Sequence, residues 1–270
     1  MALNFRWVSD AHIDHLGHQD LMDFLAQIKK ECSDPDTILL LTGDTTTGRT
    51  VEGDHYKLAG ACAGKMMFVL GNHDRWNSGF ADVENRLKGM LSKFAQNATF
   101  MDISDAVEVE PETFVVGDSG WYDGRNGLQG PPRFLMNDWF FIKEYLGREP
   151  FQASAQFADA CAARLEAKMR AAIAAGAMRL IVLTHVPPYV EACRHLGNPS
   201  DTYALPWFSS QVIGDVLDQI AEEFFHVKIE VLCGHTHDKF YYKRKDNLAV
   251  HVAYSDYGDP RIVNWQPTLW

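Results

Sequence analysis

Five times along this chain an apolar, strand-like run stops and a short polar motif takes over: Asp10-Ala11-His12, Gly43-Asp44, Gly71-Asn72-His73-Asp74, Thr184-His185 and Gly234-His235-Thr236-His237. That recurrence limits the possible folds sharply. The runs Phe5 to Val8, Thr37 to Leu41, Met66 to Leu70, Leu180 to Leu183 and Ile229 to Cys233 read as buried strands, with another at Thr113 to Val116. Helical stripes lie between several of them. Leu21, Phe24, Leu25 and Ile28 follow i, i+3, i+4, i+7 spacing, as do Ile213, Val216, Leu217 and Ile220. Val83, Leu87, Leu91 and Phe94 form a third stripe, and Phe157, Cys161, Leu165, Met169 and Ile173 a fourth, in an alanine-rich segment that ends at Gly176. Strand, helix, strand alternation implies a parallel sheet covered by helices, and ligands in such folds collect beyond the carboxyl ends of strands. The five motifs occupy those ends. Leu248 to Tyr254 alternates more like a strand of an antiparallel hairpin with Tyr241 to Asp246, so the sheet system is expected to be mixed.

The motifs supply a carboxylate, an amide oxygen and imidazoles, the oxygen and nitrogen donors suited to zinc, iron or manganese, and need no thiolate. Residues two apart on an extended strand point to the same side, which would let Asp10 and His12 reach one pocket, and His235 and His237 likewise. Glycine precedes the ligand position at Gly43, Gly71 and Gly234, where a missing Cβ permits a sharp turn or close backbone packing. Asp44, with two carboxylate oxygens, is the natural bridge between two cations.

The chain has 270 residues, a length common for a single α/β domain. Its formal net charge of −11 argues against broad nucleic-acid or anionic-lipid binding, although bound dications would reverse the sign inside one pocket. Five cysteines (Cys32, Cys62, Cys161, Cys193, Cys233) are far apart and form no C-x-x-C pattern, which fits free thiols in a reducing compartment. Strand-like residues begin by Asn4, and no apolar run is long enough for a membrane span, so the chain reads as soluble and cytoplasmic. Residues 119–150 break the pattern with a loop-rich insertion carrying Trp121, Tyr122, Phe134, Trp139, Phe140, Phe141, Tyr145 and the pair Pro131-Pro132. It is read as a cap over the site within one domain spanning 1–270.

The motif series D-x-H, GD, GNH(D/E), lone H and GHxH resembles that of the calcineurin-like metallophosphoesterase family, in the same order from Asp10 to His237. The resemblance implies a four-layer α-β-β-α sandwich of two mixed sheets. It implies two divalent ions (manganese, iron or zinc), one held by Asp10, His12, Asp44 and His237, the other by Asp44, Asn72, His185 and His235. It further implies a phosphoesterase that cleaves phosphomonoesters or phosphodiesters by attack of a metal-bridging hydroxide. His73, outside the ligand set, is then placed to steady transition-state charge or protonate the leaving oxygen, with Asp74 orienting its ring. The phosphoprotein phosphatase branch reads GDxVDRG and RGNHE, whereas Thr45-Thr46-Thr47-Gly48 follows Asp44 here, Leu70 precedes Gly71 and Asp74 replaces glutamate. Gly120-Trp121-Tyr122-Asp123 with Asn137-Asp138-Trp139 resembles a loop of bacterial members of the wider family.

Arg75 suits either a substrate phosphate or a surface salt bridge. Tyr122 and Asp123 are further substrate-pocket candidates. His15, His18, His55, His195, His226 and His251 stand outside any motif and read as structural or solvated. Asp10-Ala11-His12-Ile13-Asp14-His15 also resembles the H-x-H-x-D-H signature of metallo-β-lactamase-fold hydrolases, except for aspartate at the first position. A catalytically inert metal-binding scaffold for protein partners is the alternative from another class. The acidic chain and aromatic insertion favour a small phosphoester, such as a nucleotide, as substrate.

Overall fold

The computed structural model describes residues 4–128 and 135–268, so Pro131-Pro132 and Phe134 lie outside the described residues, as does the Phe94 side chain. The first half runs β1 (Asn4–Val8), α1 (His18–Glu31), β2 (Thr37–Thr42), α2 (Val51–Ala61), β3 (Lys65–Val69), α3 (Phe80–Phe94) and β4 (Ala98–Phe100). It continues through β5 (Val107–Glu110), β6 (Thr113–Gly117), α4 (Asp138–Phe141), α5 (Pro150–Ala174) and β7 (Arg179–Leu183). A two-stranded ribbon, β8 (Arg194–His195) with β9 (Asn198–Pro199), precedes α6 (Leu205–Phe208) and α7 (Gln211–Glu223). The chain then closes with β10 (Lys228–Cys233), β11 (Phe240–Lys245), β12 (Leu248–Val252) and β13 (Val263–Trp265).

Two mixed sheets result, in the orders β13-β1-β2-β3-β4 and β11-β12-β10-β7-β6-β5. Neighbours β1, β2 and β3 are parallel, as are β6, β7, β10 and β12, while β13, β5 and β11 add antiparallel edges. Because successive strand residues point to opposite faces, each buried strand feeds two cores. Ile38 and Leu40 of β2 meet Ile181 and Leu183 of β7 between the sheets. Leu39 and Leu41 face outward instead, against Phe24 and Ile28 of α1, Leu58 of α2, and Val83 and Leu87 of α3. On the far side, Leu180 and Val182 of β7 pack with Leu165 and Met169 of α5 and with Ile213, Leu217 and Ile220 of α7. The layering is helix, sheet, sheet, helix, a mixed-sheet sandwich.

Sheet order brings the carboxyl ends of β1, β2 and β3 together at one rim, opposite those of β7 and β10. Within the insertion, buried Trp121, Tyr122, Trp139, Ile142 and Tyr145 join the core shared by α5 and the second sheet. Phe140 and Phe141 are exposed. Among the described residues, no helix is long and apolar enough to cross a membrane.

His55 of α2 lies wholly inside this scaffold, with Nδ1 2.8 Å from the Val51 carbonyl and its ring centroid 4.5 Å from that of Phe68. Burial holds its pKa down at about 4, from an ordinary value of 6.5. The unfolded chain takes up this proton first, so the neutral ring stabilises the fold above pH 6.5 and that contribution disappears as pH falls towards 4. Urea denaturation across this range is expected to show His55→Leu losing less stability than wild type, by up to about 3 kcal/mol. Parallel pH profiles for the two proteins would contradict this.

Candidate metal centre

All five motifs follow directly on a strand's carboxyl end, but strand alternation does not aim their side chains. β1 ends at Val8 and β10 at Cys233, before the first donor of either motif. Asp10 (φ 49°), His12 (φ 40°), Asp44 (φ 49°), His235 (φ 68°) and His237 (φ 61°) instead adopt the left-handed conformation. Aspartate and histidine tolerate it better than bulky or β-branched residues, and such strain persists only where surrounding bonds enforce it. Those bonds are present: Asp10 N–H donates to Gly43 O at 2.9 Å and His12 N–H to Asp44 O at 3.0 Å. His235 N–H donates to the Asp10 carboxylate at 2.9 Å, and His73 N–H to Asp44 Oδ1 at 2.8 Å.

Two of the glycines are needed because backbone meets ligand. A Cβ on Gly71 would lie 2.1 Å from Asp44 Oδ1, and one on Gly234 1.9 Å from Asp10 Oδ2. Gly43 adds a positive φ of 92° to its approach to Gly71.

Seven side chains converge in the resulting cleft. His185 Nε2 is 3.2 Å from Asn72 Oδ1, 3.2 Å from His235 Nδ1 and 3.3 Å from Asp44 Oδ2. His237 Nε2 is 3.3 Å from His12 Nε2 and 3.4 Å from Asp10 Oδ1. Donor atoms group as Asp10, His12 and His237, as Asp44, His185 and His235, and as His12, Asp44 and His73, with Asp44 in two of the three. Nitrogen donors about 2.0–2.1 Å from a tetrahedral cation stand about 3.3–3.4 Å apart, close to these separations.

Two imidazoles are held by their outer nitrogens. His185 Nδ1 faces the Thr42 carbonyl at 2.8 Å and His235 Nε2 the Trp207 carbonyl at 2.9 Å. Carbonyls only accept, so each outer nitrogen carries hydrogen, and a neutral ring then points its lone pair into the cleft. Converging lone pairs repel unless a cation or proton lies between them. Without a metal, a proton takes that place: burial alone would lower His185, but the Asp44 charge raises it to about 10. Burial likewise would raise Asp10, yet a hydrogen bond from His237 and the His185 charge hold it at about 2. The donor set therefore fits bound dications.

His73 lies beside this group, its Nε2 3.9 Å from Asp44 Oδ2 and its ring stacked on Trp76 at 3.5 Å. Burial lowers it to about 3. Asp74 does not orient that ring. Its carboxylate instead accepts from Thr46 N–H at 2.9 Å and Gly71 N–H at 2.8 Å, tying two motif loops together. Burial and the Asp44 charge push it up to about 7.

Arg75 is neither on the surface nor in the cleft: wholly buried, it pairs with Asp102 at 3.1 Å and lies over the Phe80 ring. Buried Tyr122 donates to Asp138 at 2.9 Å, and Asp123 accepts from the Val212 N–H of α7 at 2.9 Å. None of the three lines the cleft. A cavity of about 350 Å³ opens above Asp44, Asn72, His73, His235 and His237, walled by Trp76, His195, Phe208 and Tyr257. Sequence reasoning missed Trp76, Phe208 and Tyr257 and set His195 aside; the isolated tryptophan three residues after His73 was the one available signal. A larger hollow of about 490 Å³, lined by Glu52, Tyr56, Arg86 and Met90, contains no motif residue.

The family model for calcineurin-like phosphoesterases matches residues 3–239. The chain belongs to the calcineurin-like phosphoesterase family. Among solved structures it is similar to a phosphopantetheinyl hydrolase from Mycobacterium tuberculosis, at TM-score 0.67 and 17% identity, covering 98% of this chain and 96% of that one. It is also similar to a dimetal phosphatase from Danio rerio, at TM-score 0.54 and 13% identity over 93% and 86% of the two chains. A third likeness is to GAP50, named as the anchor in the inner membrane complex of Plasmodium, at TM-score 0.51 and 12% identity over 94% and 71%. These likenesses concern the calcineurin-like fold. No curated protein matches the chain.

Gly71→Ala is expected to destabilise the protein by about 1–3 kcal/mol and to lower metal occupancy, since its Cβ overlaps Asp44. Gly53→Ala, with nothing within 4 Å, is the helical control and is expected to stabilise by about 0.5–1 kcal/mol. Thermal denaturation and metal analysis read both; equal behaviour of the two variants would contradict the close-packing argument.

Proposed function

We propose that this calcineurin-like protein is a dinuclear metal-dependent phosphoesterase acting on a small phosphomonoester or phosphodiester, such as a nucleotide. What carries the reading is the convergence of Asp10, His12, Asp44, Asn72, His185, His235 and His237 on a single cleft at ligand-to-ligand spacing. In it, Asp10, His12, Asp44 and His237 would hold one manganese, iron or zinc ion, and Asp44, Asn72, His185 and His235 would hold the other. A bound pair of dications supplies an activated water and positive charge for in-line displacement at phosphorus.

The chain's own residues do the rest. Thr42 O and Trp207 O fix the His185 and His235 rings with their free nitrogens inward. His73, held against Trp76 at the cavity edge, is placed to donate a hydrogen bond to a phosphoryl or leaving-group oxygen. Asp74 acts on the loops that carry Asp44 and Asn72 rather than on substrate. Trp76, Phe208 and Tyr257 offer apolar walls to the leaving group, which suits a flat or apolar moiety. Five free, buried cysteines support a cytoplasmic setting.

Metal-stripped protein is expected to be inactive and to recover on adding Mn²⁺, with a para-nitrophenyl phosphodiester and its monoester compared side by side. A phosphopantetheinyl ester joins the probes because the Mycobacterium neighbour bears that name. His73→Ala is expected to lower kcat on an unactivated ester by about 10²–10³-fold while leaving metal content unchanged. Full turnover by His73→Ala would remove that residue from the reaction. Inertness of fully metallated wild type towards all three probes would favour the scaffold reading.

A further inference from the structure

Among the described residues, the insertion before α5 sends one ionisable side chain, Asp138, to the base of the cleft. Asp138 is wholly buried and accepts three hydrogen bonds. Its Oδ1 receives Asn72 Nδ2–H at 2.9 Å and Trp76 Nε1–H at 2.5 Å, while Oδ2 receives the Tyr122 hydroxyl at 2.9 Å. Indole N–H and amide NH₂ groups can only donate, and the Tyr145 hydroxyl donates to the Tyr122 oxygen at 3.1 Å, which leaves the Tyr122 proton for Asp138. Asp138 is therefore an acceptor towards all three partners.

An amide side chain can present either end to a cleft, and only its oxygen can serve a cation. An acceptor-only neighbour behind Asn72 settles the choice: Nδ2 must face Asp138, which turns Oδ1 towards His185 Nε2, 3.2 Å away. The same carboxylate oxygen holds Trp76, whose indole stacks on His73 at 3.5 Å.

We propose that Asp138 is a positioning residue, supplied by the insertion, that sets the Asn72 amide with its oxygen towards a metal and braces the Trp76 indole against His73. The proposal rests on the reading of Asn72 as a metal ligand. Without Asp138 the amide is free to turn its NH₂ group inward, where it repels a cation.

The test measures Mn²⁺ binding to metal-stripped protein by titration calorimetry, with no substrate present. Wild type is expected to take up two ions. Asp138→Leu, which removes every acceptor facing Asn72 and Trp76, is expected to weaken one of them about 10–100-fold, the range for loss of a group that orients a ligand. Tyr122→Phe removes the bond to Oδ2 alone and is expected to bind within about twofold of wild type, since it leaves the Asn72 contact in place. Asn72→Asp combined with Asp138→Asn exchanges carboxylate and amide across the same hydrogen bond and is expected to recover most of the lost affinity. A purely structural Asp138 would not give that recovery. Should Asp138→Leu fail to fold, Asp138→Glu, which displaces the carboxylate by one methylene, is expected to show the same loss. Unchanged affinity in Asp138→Leu, or no recovery in the double variant, overturns the proposal while leaving the metal centre standing. Wild type that takes up no Mn²⁺ overturns both.

Discussion

Two buried carboxylates, Asp10 and Asp44, sit among five imidazoles at one rim of the sandwich, and the cost of keeping that charge out of water organises the surrounding structure. Each carboxylate accepts a backbone N–H from another motif: Asp10 from His235, Asp44 from His73. These bonds cross between motifs far apart in sequence, and one of them crosses between the sheets. The fold and the cleft thus share the same interactions. A change that relaxes the left-handed loops would cost both stability and ligand geometry.

Around this inner group runs a second set of contacts that leaves each donor little freedom. Carbonyls fix two imidazoles, Asp74 ties the GD and GNHD loops, Asp138 holds Asn72 and Trp76, and Ser9 donates to Asp10 at 2.5 Å. Most of these partners come from outside the five motifs or use backbone atoms. A donor set held this rigidly meets a cation with little reorganisation, which favours metal binding and reproducible placement of a phosphoryl group.

Much of this was legible in the sequence because strands and amphipathic helices obey fixed periods. The buried strands appear within a residue or two of the predicted runs, and all four helical stripes fall within α1, α3, α5 and α7. Helix α2 escaped notice: Gly53 and Gly60 interrupt it, and His55 and Asp54 sit where apolar residues would mark a buried face. The motif residues announced themselves by type and spacing. Their conformation did not, because an Asp-x-His pair looks alike on a strand and in a left-handed loop. Arg75 was misplaced for a related reason. Its partner Asp102 lies on a separate segment, so no local pattern distinguishes a buried pair from a surface one. Asp138 meets Asn72 only through the tertiary fold, and Tyr257 reaches His12 from the loop after β12, ring centroids 4.4 Å apart.

The proposed function requires these seven side chains to form one site for two cations that share Asp44. Crystals grown with Mn²⁺ and measured for anomalous scattering test it most directly. Two peaks about 3.5–4 Å apart are expected, one on each side of the Asp44 carboxylate, with Asn72 Oδ1 beside one of them. A single peak, no peak at saturating Mn²⁺, or ions bound away from Asp44 would contradict it.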